Sequence, residues 1–209
     1  MRLFSYKLTH DTGFAPNPFG ETLTLATCKP GIRKSKHKGD WIAGFTSKQL
    51  TAGRDHVGSE RLIYLMKVGE KLRFRDYFID ERFQDKIPDM SEKDTKAKAG
   101  DNIYKPLDID ALALLDFEQL DNPNHPPPHN KEHDLSGEYV LIADEFYYFG
   151  RDALEFGINV PDDLRPKIPR GQHRYGYRTD AEKSRRFIEY IRENWSRGRH
   201  GYPHRWPYE

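Results

Sequence analysis

The sequence predicts a single α+β domain built on a curved mixed or antiparallel β-sheet or barrel, with flanking helices and long loops. Three observations predict it. An unbroken apolar run, Leu62–Val68, lies inside "ERLIYLMKVGEKL" and reads as a strand buried on both faces or as a barrel stave. Near the end of the chain, Phe187, Ile188, Ile191 and Trp195 share one face at helical spacing, which gives a C-terminal amphipathic helix over about 180–196. The chain has 209 residues, 36% hydrophobic and 13% aromatic, a length that suits one domain whose core leans on rings.

The elements follow in order. "RLFSYKL" alternates and is rich in strand formers, so it reads as the first strand. "THDTGFAPNPFG" carries Gly13, Pro16, Pro18 and Gly20 and reads as a stiff loop. "TLTLATC" is a second strand, "KPGIRKSKHKGD" breaks it with a helical turn after Pro30, and "WIAGFTS" is a short apolar strand. After the apolar run, "FRDYFIDERFQDKIP" has helical spacing and stops at Pro88. "DIDALALLDFEQL" is assigned to helix on its Ala and Leu content. Residues 121–136 form an exposed Pro/His-rich loop, because Pro126, Pro127 and Pro128 exclude a helix. "EYVLIADEFYYFG" reads as strand, turn at Asp144-Glu145, and strand, and the stretch from Pro161 to Tyr177 is irregular. Thr179 and Glu182 fit a capping box for the last helix.

Charge is distributed unevenly. The formal net charge is only +1, which predicts no nucleic-acid binding by itself. Residues 29–54, however, hold Lys29, Arg33, Lys34, Lys36, Lys38, Lys48 and Arg54 against Asp40 alone. Residues 76–145 are strongly acidic, and residues 165–209 are basic again. If folding joins the two basic segments, they make one positive face, unless the acidic middle covers them. The single cysteine, Cys28, excludes an intrachain disulfide and makes a reducing, cytoplasmic setting the expectation. The start of the chain is too short and polar for a signal peptide, and no apolar run approaches the roughly 20 residues of a membrane span.

Several residues are candidates for chemistry, each with a plainer structural role beside it. Lys29, Arg33 and Lys34, with the hydroxyl of Ser35, are candidate phosphate ligands, or else a solvated loop. Trp41 and Phe45 are candidate walls for a base, at roughly 1–3 kcal/mol of stacking per base. Asn17, held between Pro16 and Pro18, and Asp40 are candidates for reading the base edge; turn residues are the alternative for both. Cys28 precedes a run of cations that favour a nucleophilic thiolate, but a lone cysteine is usually a small buried hydrophobe. Asp101 and Asp144, the latter beside Glu145, are candidate catalytic acids if folding pairs two carboxylates. His125, His129 and His133 recur every fourth residue, but the prolines break the helix that would align them. With no CxxC or HExxH, no metal site is expected, and with no Walker loop or GxGxxG, no cofactor. His173, Arg174, Tyr175, Tyr177 and Arg178 interleave cations and rings, a composition suited to a nucleic-acid strand and also to an ordinary strand with a polar face.

Five stretches together, 13–48 from "GFAPNPFG" to "GFTSK", 61–88, "GDNIYKP", "VLIADEFYYFG" and "GQHRYGYR", resemble the nucleotide-modification-associated domain of the second type over nearly the whole chain. That family is known from bacteria and phages in association with DNA base modification and phage–host conflict. A shorter stretch, "KGDWIAGF" followed by "RLIYLMKV", is similar to PUA-like domains (EVE, YTH, ASCH), which hold a nucleobase in an aromatic pocket beside a basic rim. The resemblance implies recognition of a nucleotide or modified base, in DNA before RNA, within a modification or anti-phage system. Two rivals stand beside it. One is an enzyme that transfers or removes a group on a nucleotide through Cys28, Asp101 or Asp144. The other is a protein that docks on a modification enzyme through its acidic middle.

Overall fold

In the computed structural model, which describes residues 1–52, 59–127, 130–171 and 173–205, the longest apolar run becomes the longest strand. The strands are β1 (Leu3–Leu8), β2 (Thr24–Leu25), β3 (Trp41–Thr46), β4 (Leu62–Arg73), β5 (Tyr104–Pro106), β6 (Phe117–Gln119), β7 (Tyr139–Tyr148), β8 (Tyr177–Arg178) and β9 (Gly198–Arg199). The α-helices are α1 (Pro30–Ser35), α2 (Lys48–Thr51), α3 (Phe74–Ile79), α4 (Thr95–Lys98), α5 (Lys131–Leu135) and α6 (Ala181–Asn194). Arg54, His129 and Gln172 lie outside the described residues.

Seven strands form one mixed sheet in the order β2-β7-β4-β3-β1-β8, with β9 also on β7. The β1–β3 and β7–β9 pairs are parallel, and the rest are antiparallel. β5 and β6 make a separate small ribbon. Among the described strands the sheet is open, with β8 at one edge and β2 and β9 at the other. The expected closure into a barrel is not seen, which leaves the likeness to PUA-like domains without support from the fold.

Both faces of the sheet are covered, as the continuous apolarity of β3 and β4 requires. On one face Tyr6, Leu25, Ile32, Ile42, Ile63 and Tyr64 pack together. On the other, Phe187, Ile188 and Ile191 of α6 seat on Leu3, Trp41, Ala43, Phe45 and Leu65. A third cluster joins α3 to the β5–β6 ribbon through Phe74, Tyr77, Phe83, Tyr104 and Phe117.

Three local expectations are corrected. Residues 139–148 form one strand with no turn at Asp144. The irregularity sits instead in β4, whose register shifts around Val68. There Gly69 admits Asp144, whose Cβ would stand 2.5 Å from any added side chain. The segment after Asp108 is not an α-helix. Asp116 accepts the N–H groups of Leu112 and Ala113 at 2.9 and 2.7 Å, and this local turn outcompetes the helical preference of its Ala and Leu residues. Finally, α6 is capped by Asp180, which accepts Lys183 N–H, because the Thr179 hydroxyl accepts Lys167 N–H instead.

Candidate active site

The chain leaves β2 and turns into α1 through Cys28 and Lys29, both in the left-handed region, with φ of 55° and 41°. That conformation costs a non-glycine residue on the order of 1–3 kcal/mol, so something must hold it. Two neighbours do. Asp134 Oδ1 accepts the Cys28 N–H at 2.6 Å, and Arg33 Nε donates to the Cys28 carbonyl at 2.7 Å. Arg33 is wholly buried and also donates to the carbonyls of Tyr139 and Asp134, at 2.7 and 2.6 Å. Its guanidinium lies so close over Gly137 that a Cβ there would stand 2.6 Å from Nη1.

The buried Asp134 of α5 organises the rest. Its Oδ2 accepts the Tyr104 hydroxyl at 2.8 Å and meets His125 Nε2 at 3.1 Å. The same His125 Nε2 is 3.8 Å from Cys28 Sγ. The other ring nitrogen, Nδ1, lies 2.7 Å from the Asn124 carbonyl. The ring is fixed from several sides: Phe14 packs at 4.8 Å between centroids, and Gln119 donates to the His125 carbonyl. Asn122 ties the loop down by donating to the carbonyl of Gly100. The Pro/His-rich loop is therefore not wholly exposed, since Asn122 and His125 are buried within it.

Burial opposes a charge on His125, but the hydrogen bonds to Asp134 and Cys28 and their negative charge outweigh it, raising the imidazole to about 10. In the charged ring both nitrogens are donors, which matches acceptors at Nε2 and at Nδ1. Burial and the adjoining Asp134 push the Tyr104 phenol well up, so it stays a donor. The Arg33 guanidinium also lies 3.8 Å from Asp134 Oδ1, so the buried carboxyl has cationic side chains beside it, which a buried charge needs.

Cys28 and His125 stand on the wall of a cavity of about 410 Å³. Tyr6, Leu8, Phe14 and Leu25 give it apolar walls, and Lys29 and His10 bring polar groups. Few polar groups among mostly apolar walls, at this volume, is the usual make-up of a small-ligand site. The Lys29 ammonium lies 5.3 Å from the centre of the Tyr6 ring, and burial lowers its pKa, with Cys28 acting the other way.

Cys28, His125 and Asp134 also form a possible metal-ligand set, since one donor atom from each lies within 4.8 Å of the others. The absence of CxxC or HExxH gave no warning of it. Hydrogen bonding favours the metal-free reading: both Asp134 oxygens already accept, from Cys28 N–H on one side and from Tyr104 and His125 on the other.

The other expected site residues are placed as follows. Trp41 and Phe45 are sealed in the core under α6 and present no face to a base. Asp40 is buried in a turn, accepting from Arg2 Nε at 2.6 Å and from His37 N–H at 3.0 Å. Asn17 is buried, donating to the Ala99 carbonyl and accepting from Phe19 N–H and Lys86 Nζ. All four are buried among these partners. Arg33 is spent on backbone carbonyls, Lys34 is bonded to Glu138, and Ser35 accepts from Lys36, while Lys29 lines the cavity beside Cys28. Asp101 is buried with both oxygens occupied by Thr24 and Tyr77, and burial raises its pKa despite Lys86 and those donors. Asp144 is exposed and paired with Lys67 at 2.8 Å, so the two acids form no couple. Asp144 does border a larger cleft of about 900 Å³ with Glu145, Arg197 and Arg199, whose described lining includes neither a cysteine nor a histidine. His173, Arg174, Tyr175, Tyr177 and Arg178 are exposed along the β8 edge.

His125 and Asp134 escape sequence reasoning as site residues, since each lies about a hundred positions from Cys28 and neither is part of a local motif. No helix among the described residues is long and apolar enough to cross a membrane. The model of one family, described as nucleotide modification associated domain 2, matches residues 1–209. No curated protein and no solved structure matches the chain.

Proposed function

The chain belongs to the nucleotide modification associated domain 2 family, and from that premise we propose that it carries out a cysteine-dependent group transfer on a nucleotide or nucleobase. The observation that supports this reading best is Cys28 itself, held in left-handed backbone on a cavity wall with a charged imidazole 3.8 Å from its sulfur. A neighbouring cation favours the nucleophilic form of a thiol, and strained backbone is kept where a side chain must be presented.

The chemistry is nucleophilic catalysis. Cys28 Sγ attacks a trigonal carbon of the nucleotide-borne group and an S–C bond forms. The bond to the leaving group breaks, and that group departs with the electron pair and the proton from His125 Nε2. An incoming water or amine then gives its proton to the neutral His125 and attacks the same carbon, and the S–C electron pair returns to sulfur. Asp134 orients the ring and stabilises its charge, while Tyr104 and Arg33 position Asp134 and the Cys28 carbonyl. Lys29 supplies the positive charge for a phosphate at the cavity mouth.

The test is acid-quenched intact-mass spectrometry of the protein with nucleoside monophosphates and their base-modified forms. The expected result is a mass addition on Cys28, absent from Cys28→Ser, or protection of Cys28 from iodoacetamide by the same compounds. A full panel that neither adds mass nor protects contradicts the proposal. So does stoichiometric zinc that is lost in Cys28→Ser, which would assign the three side chains to a metal.

A further inference from the structure

The two basic segments meet. Gly31 of α1 packs directly on residues 174–175: an added Cβ would stand 2.6 Å from the Arg174 carbonyl oxygen and 3.2 Å from the Tyr175 ring. Two residues before Gly31 is Lys29, on the cavity wall beside Cys28. Farther along, Lys36 Nζ lies 3.8 Å over the Phe4 ring, and Phe4 pairs in register with Arg178 of β8. A continuous strip therefore runs from the β8 edge past α1 to the cavity.

The cations of this strip differ from five arginines of the C-terminal basic segment. Arg165, Arg185, Arg186, Arg192 and Arg197 are all engaged in ion pairs with acidic side chains. Lys167, Arg170, Arg174 and Arg178 are exposed, and no ion pair is found for them among the described residues. Between them stand exposed rings: Tyr175 is 48% and Tyr177 is 43% accessible, and His173 meets Tyr177 edge-on at 5.4 Å. Arg174 and Lys167 lie over the Tyr175 and Tyr177 rings, at 5.3 and 5.8 Å from their centroids; cations without acidic partners beside partly exposed rings suit a chain that offers both phosphates and unstacked bases.

We infer that the substrate nucleotide is part of a single-stranded polynucleotide, bound along the strip of residues 167–171, residues 173–178 and α1 with one base directed to the Cys28 cavity. The inference deepens the reading of that cavity given above. A duplex does not fit it, because paired and stacked bases hide the faces that Tyr175 and Tyr177 would stack on.

Fluorescence anisotropy with labelled oligo(dT) and oligo(U) of about 20 nucleotides, a duplex of the same length and free dTMP tests it, since stacking and phosphate binding both contribute to single-strand affinity. The single strands are expected to bind more tightly than the duplex or dTMP. Arg174→Ala/Arg178→Ala should weaken binding about ten-fold and flatten the salt slope by about 0.7 for each phosphate that is no longer neutralised. Tyr175→Ala/Tyr177→Ala should weaken it about ten-fold with the salt slope unchanged. All four residues are surface-exposed, and the rate of Cys28 alkylation in the same variants should equal wild type, which separates strand binding from the chemistry at Cys28. No binding of either single strand at low salt, wild-type affinity in both double variants, or equal binding of the duplex would overturn it. A failure of Cys28 to react as proposed would leave these affinities untouched.

Discussion

At the scale of the residue, the chemistry rests on a charge held by His125. Its folded pKa, raised to about 10, exceeds the ordinary 6.5. A raised base contributes stability that is fully present below the unfolded value and fades as pH rises through the folded one. The stability of wild type relative to His125→Gln should therefore be greatest on the acid side of about 6.5 and shrink toward pH 10. Urea unfolding of both proteins across that range checks it, with a total change of a few kcal/mol at about 1.4 kcal/mol per unit. A difference that is flat with pH would mean that folding leaves the ring at its ordinary pKa. Sequence reasoning identifies Cys28 as a possible nucleophile but not its partner, because His125 reads there only as one of a recurring histidine series and not as a neighbour of Cys28. The prolines that rule out an aligned histidine helix are the same residues that follow His125 in the loop delivering it to Asp134.

At the scale of the element, patterns with a single period are the legible ones. The apolar run of β4, the strand β1 and the face of α6 are all found where expected. The helical turn after Pro30 is α1. The expectations that fail depend on a side chain competing with the backbone or on a neighbouring strand. Asp116 turns an Ala/Leu-rich segment away from helix, and Gly69 absorbs in β4 the irregularity expected in β7. Because α6 seals the sheet face behind Trp41 rather than the cavity face, its loss should cost stability before it costs chemistry. Phe187→Ala is expected to lower stability by about 3–5 kcal/mol, as for other fully buried rings. Below its unfolding transition Cys28 should still alkylate at the wild-type rate, whereas a parallel loss of reactivity would place α6 within the site.

At the scale of the molecule, the charge pattern is half legible. The two basic segments do adjoin, at Gly31 and Arg174, but the hollow expected between them around Trp41 is filled core. The indole that composition offers as a ligand wall is needed to close the sheet against α6. The open cavity lies instead on the Tyr6 face, where β2 hands the chain to α1. Tertiary packing decides this, since a buried ring and a ligand-facing ring read alike in sequence. The acidic middle also does something composition does not show. It neutralises Lys34 through Glu138 and supplies Asp134 to the site, leaving the 167–178 cations uncovered.

The most direct test is the site-resolved rate at which iodoacetamide alkylates Cys28 at neutral pH, in wild type and in His125→Gln. A sulfur activated by the adjacent imidazolium predicts a drop of about ten-fold or more in the variant. Equal rates in the two proteins would contradict it.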